Sequence, residues 1–115
     1  MALDRFVRFP KGKGPKKKQV ALVVRGFFGD VESIELVDGT WLVRLHGNSS
    51  WELEGIEPDL MPRLRNKERI IEVYGYGSQV TITTRRADAF VNALADGLMQ
   101  LFARYWEATE IDDGS

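Results

Sequence analysis

The sequence predicts an α+β domain: an antiparallel β meander or small barrel of six to seven strands capped by one long C-terminal helix. Three observations carry that reading. Apolar and polar residues alternate over much of the first 85 positions, the dipeptide Asp38-Gly39 sits between two such runs, and from Ala87 the apolar spacing changes to that of a helix. A single open antiparallel sheet with one covering helix is the alternative the same pattern allows.

The stretch "DRFVRF" is a candidate first strand. In "QVALVVRGF", Val20, Leu22 and Val24 fall on one face and Ala21 and Val23 on the other, which predicts a strand covered on both faces. "VESIELV" and "TWLVRLHG" flank Asp38-Gly39, the pair preferred in a type I′ hairpin turn because both central residues need positive φ. Trp41, Val43 and Leu45 share one face of the return strand. "SWELEG" is a short further candidate. "IEPDLMPRLRNKE" contains Pro58 and Pro62 and reads as the longest connection of the body. "RIIEVYGYGSQVTITTR" is a second hairpin turning at "GYGS", dense in the β-branched residues that half-buried strands prefer.

Beyond Ala87, Phe90, Leu94, Leu98, Leu101 and Tyr105 recur at helical spacing, widened by Val91, Phe102 and Trp106, while Asp88, Asn92, Asp96, Gln100 and Arg104 are left for water. Thr84 is placed to cap this helix, and Ala93 and Gly97 are expected to let its backbone approach the sheet.

The 115 residues, 43% hydrophobic and 29% charged, fit one soluble globular domain. Its expected limits are residues 1–107, with 10–18 as a lysine-rich loop or arm and 108–115 as an acidic flexible tail. No apolar run reaches the roughly 18–20 residues of a membrane span, and the N-terminus lacks the apolar core of a secretory signal, so a cytoplasmic location is expected. Cysteine is absent, which removes disulfides and thiolate chemistry. The net charge of −1 conceals a polarity: residues 1–25 carry eight bases against Asp4, while 107–115 carry four acids and no base.

Strands followed by a C-terminal helix ending near Trp106 give an element order that resembles the pleckstrin-homology architecture, two nearly orthogonal antiparallel sheets capped by a helix. The resemblance spans nearly the whole chain, and it implies that the lysine stretch occupies the first hairpin loop, where such domains present bases to phosphoinositide head groups.

Catalytic and metal chemistries find little support. His46 is the only histidine, and its neighbours Ser49 and Ser50 give no triad evidence by spacing alone. Glu52, Glu54, Glu57 and Asp59 lack a calcium-loop pattern and read as a solvated acidic rim. "GKGPK" and "GYGSQ" lack the spacing and following helix of a phosphate loop or a dinucleotide fingerprint. The sequence therefore predicts a non-enzymatic chain with no metal and no small-molecule cofactor.

Binding remains, with two candidate surfaces. Lys11, Lys13, Lys16, Lys17 and Lys18, joined by Arg85 and Arg86, form the candidate anion-binding set for membrane phosphates or nucleic acid. In that reading the arginines stand in the first turn of the C-terminal helix, against its dipole. The lysines also have a plainer use, since lysine blocks edge-to-edge pairing of strands. Phe27, Phe28, Tyr74 and Tyr76 form the candidate protein-contact set. The sequence favours a small binding module working through protein–protein contact or self-association, as an adaptor, a subunit or an inhibitor or immunity-type protein. An anionic-ligand module is the second reading.

Overall fold

A computed structural model describes residues 2–29, 33–45, 69–85 and 89–114. In chain order these form β1 (Ala2–Arg8), α1 (Lys17–Phe27), β2 (Ser33–Val37), β3 (Thr40–Leu45), β4 (Arg69–Tyr74), β5 (Gln79–Arg85), α2 (Ala89–Tyr105) and β6 (Glu110–Asp112). The strands make one antiparallel sheet in the order β2-β3-β4-β5-β1-β6. The architecture is thus α+β, an open sheet with a C-terminal helix, and not a closed barrel.

The two faces of the sheet differ in composition. Cross-strand partners share a face, so the ladder groups Arg5, Val7, Trp41, Val43, Ile71, Val73, Val80 and Ile82 on one side, all of them buried. The other is mixed: Asp4, Arg8, Glu72, Gln79, Thr81 and Thr83 share it with the half-buried Phe6, Leu42 and Ile70. There Thr83 donates to Asp4 Oδ1 at 2.6 Å, and Arg8 bridges Gln79 at 3.1 Å and Glu110 at 2.8 Å. An antiparallel sheet tolerates such a mixed second face.

The β2–β3 turn is as the sequence predicts. Val37 pairs with Thr40, leaving Asp38 at φ 49° and Gly39 at φ 81° as a two-residue loop. Strands β4 and β5 form the second expected hairpin, and β1 joins the sheet beside β5.

Several expectations need correction. The run "QVALVVRGF" is not a strand but most of α1, where Val20 and Val24, four residues apart, are buried and Leu22 faces out. Pro15 precedes the helix start, and the Gln19 side chain accepts a hydrogen bond from the Lys16 amide at 2.7 Å. Two helices therefore lie among the described residues, where one was expected, and Lys17 and Lys18 are helical. The pleckstrin-homology order fails with it: β1 and β2 are not neighbours, and a helix stands where the basic hairpin loop was expected.

The helical stripe of α2 is also rotated from the expected one. Val91, Ala95, Leu98, Met99, Phe102 and Ala103 are buried, while Leu101 and Tyr105 face solvent. The cause is Arg5, only 2% exposed, whose guanidinium group reaches α2 at two positions one turn apart: Nε donates to Asp96 Oδ1 at 2.7 Å and Nη2 to Asn92 Oδ1 at 3.0 Å. Nη1 donates to Thr84 Oγ1 at 3.1 Å. A planar fork bonded to residues one turn apart selects one rotation of the helix, and Leu101 and Tyr105 lie about half a turn round from Asn92. Thr84 is accordingly a buried strand residue. Gly97 meets the Phe27 ring of α1, its would-be Cβ 3.4 Å from Cζ, rather than the sheet.

Finally, the acidic end is not wholly without structure. Glu110–Asp112 form β6 against β1, with all three side chains exposed. "SWELEG", His46, Ser49, Ser50, Glu52, Glu54, Glu57, Pro58, Asp59 and Pro62 lie outside the described residues. No described helix is long and apolar enough to cross a membrane.

Candidate binding cleft

The segment that carries the lysines is fixed to the β4–β5 turn. Phe9 donates its amide to the Ser78 carbonyl at 2.9 Å and Gly77 donates to the Pro15 carbonyl at 2.7 Å, with Phe9 and Pro15 both buried. Gly14 lies so close to the Gly77 carbonyl that a Cβ there would collide with it. This seam delivers the first turn of α1 to the end of the sheet where the β2–β3 and β4–β5 turns lie.

Between these parts opens a cleft of about 550 Å³. Val20 and Ala21 of α1 and Leu36 and Trp41 of the first hairpin supply its apolar surface, and Gly39, Gly75, Tyr74 and Tyr76 border it from the turns. Lys17 and Lys18 stand on the helix side. The Arg25 guanidinium covers the Trp41 ring at 5.4 Å from its centroid, leaving that indole 7% exposed. No carboxylate is among the described residues that line the cleft.

The electrostatics of this rim are unfavourable for α1 taken alone. Lys16, Lys17 and Lys18 occupy the positive end of the helix dipole, with no acid in the first turn. Each cation there costs roughly 0.3–1 kcal/mol at low salt. The rim nevertheless suits a ligand that brings carboxylates.

The cleft unites parts of both expected site sets. Lys17, Lys18, Tyr74 and Tyr76 converge on it, the tyrosines 39% and 59% exposed. Lys16 is exposed at the helix cap, while Lys11 and Lys13 project from the preceding turn. Lys13 instead borders a second, shallower depression of about 440 Å³ with Pro10, Arg104, Tyr105, Trp106 and Glu107. Phe27 is 36% exposed at the far end of α1, stacked edge-on against Phe28. Phe28 is 3% exposed and belongs to the core, so it presents nothing to a partner. Arg85 ends β5 opposite Ala2 instead of opening a helix, and Arg86 lies outside the described residues.

Sequence reasoning missed Val20, Ala21, Leu36 and Trp41 as members of one surface. Half of that group was accessible: a two-residue Asp38-Gly39 turn places Leu36 opposite Trp41. The α1 half was hidden by reading α1 as a strand. Comparison of the chain with protein-family models, curated proteins and solved structures yields no match.

Proposed function

We propose that this protein is a non-catalytic binding module that holds a segment of a partner protein in the cleft between α1 and the two hairpin turns. The observation that supports this reading is the pairing of an apolar floor, Val20, Ala21, Leu36 and Trp41, with a rim of two tyrosines and two lysines. Aromatic and aliphatic anchors in a concave site, surrounded by polar groups, are the usual composition of a protein-contact hot spot. The cytoplasmic location expected from the sequence belongs to the same proposal.

A display library of random peptides, selected against the intact protein, tests the reading. Selected peptides should be rich in apolar and acidic residues and should lose binding to Leu36→Glu and to Tyr76→Ala. Both positions are well exposed, so neither change should unfold the chain. Peptides that bind these variants as well as the parent protein would refute the cleft as the contact surface. Binding to vesicles containing phosphatidylserine, lost on replacing Lys11, Lys13, Lys16, Lys17 and Lys18 by Ser but kept in Leu36→Glu, would favour the anionic-ligand reading instead.

A further inference from the structure

The two edges of the sheet are protected very differently. Strand β6 is three residues long and carries Glu110 and Asp112, so charge and brevity both discourage a further strand. Strand β2 is five residues long, "SIELV", with no lysine and no proline, and among the described residues it pairs only with β3. Among the described residues nothing pairs with its outer row of backbone N–H and C=O groups, and such a row is a template for another strand. Leu36 and Val37 on this strand are 48% and 44% exposed.

Edge and cleft meet at Leu36. That residue lies on the helix-covered face, opposite Trp41, and lines the cleft. A strand laid beside β2 would place every second side chain on that same face, so that one of them stands next to Leu36 over the cleft floor. We infer that the partner binds by strand addition: an extended segment of another protein pairs with β2, inserts an apolar side chain beside Leu36 and Trp41, and directs carboxylates to Lys17 and Lys18. This rests on the proposed role of the cleft and adds the conformation and the chemistry of its occupant. Main-chain pairing supplies affinity in this mode, and the pockets for alternate side chains supply selectivity.

A second copy of the chain is a poorer occupant than an acidic segment. Pairing β2 with β2 of another copy over all five residues sets Glu35 opposite Glu35, and like charges directly opposite one another destabilise a ladder. The lysine rim likewise finds no carboxylate on such a partner strand other than that same Glu35, whose side chain lies on the opposite face from Leu36.

A synthetic eight-residue peptide tests this, with Val and Phe at alternate positions, Thr between them and two Glu at one end. Its effect on residue-resolved amide hydrogen exchange of the full chain is the readout. The inference expects outward-facing amides of 33–37 to slow about tenfold or more at saturating peptide. It also expects binding to disappear when the peptide is N-methylated at alternate nitrogens, and to disappear for the parent peptide with Leu36→Lys. Perturbed signals of Ala21 and Trp41 with no added protection in β2 would overturn strand addition while leaving the cleft reading intact. No perturbation at either place up to about 1 mM peptide would overturn both. A dimer of the free protein that Leu36→Lys dissolves would overturn the choice of a foreign segment over a second copy.

Discussion

The β1–β5–α2 side and the α1–β2–β3 side of this molecule are built on opposite principles. On the first, a buried guanidinium group ties sheet to helix through two side-chain hydrogen bonds and makes a third to Thr84 of β5, and Val91, Leu98, Met99 and Phe102 close over apolar strand residues. On the second, a short helix with two buried valines rests beside a hairpin whose Leu36 and Val37 stay in contact with water. The first side uses polar groups to specify geometry. The second leaves apolar groups in water and, among the described residues, its lysines without an ion pair, the character expected of the partner surface proposed above.

The largest loss of stability is expected from Phe102→Ala. The side chain is fully buried and stacked on Trp106 at 5.8 Å, and removing such a ring typically costs about 3–5 kcal/mol. Urea unfolding should show it as a large drop in midpoint with little change in slope. Next comes Arg5→Met, which removes three hydrogen bonds from a charged donor and leaves the buried Thr84 hydroxyl with only its long 3.4 Å bond to Asn92 Oδ1. The expected cost is on the order of 2–3 kcal/mol, because Asp96 is 52% exposed and recovers much of its hydration. Asp96→Asn, which keeps an acceptor for Nε, should cost about 1 kcal/mol or less. A larger loss for Asp96→Asn than for Arg5→Met would break the view that the buried guanidinium organises this side.

Gly14→Ala probes the seam between the two sides. The added Cβ collides with a backbone carbonyl, which cannot rotate away as a side chain would, so about 1 kcal/mol or more should be lost. The change should also disturb the cleft, since this seam places α1. Amide signals of 17–21 and 75–77 should shift in a two-dimensional NMR spectrum while those of 91–99 stay in place.

How far the fold was legible follows from the same contrast. The Asp38-Gly39 hairpin, β4, β5 and α2 each show one clear period or one turn signature, and each appears as expected. Residues 20–24 are five consecutive apolar residues, four of them Val or Leu, and a short run of that kind has no period to separate a strand from a buried helix. β-branching pointed to a strand, and tertiary packing of Val20 and Val24 against the sheet decided for a helix. The rotation of α2 was hidden for another reason: it depends on Arg5, some 90 positions away, and an arginine on an otherwise apolar strand face gives no sign of its partners. Of the candidate site, the exposed tyrosines and two lysines were legible as residue types. Their meeting in one cleft was not, because it depends on α1 being a helix.

The smallest expected change in stability tests the central claim most directly. Replacing Lys17 and Lys18 together by Glu puts two carboxylates at the positive end of α1, which should leave stability unchanged or raise it by about 0.3–1 kcal/mol per site. On the same preparation, affinity for the two-Glu peptide described above should fall at least tenfold. A gain or no change in urea midpoint together with lost binding is the predicted result. A double substitution that destabilises the chain and leaves peptide affinity untouched would show that these lysines serve the fold, and that the cleft beside them is not a partner's seat.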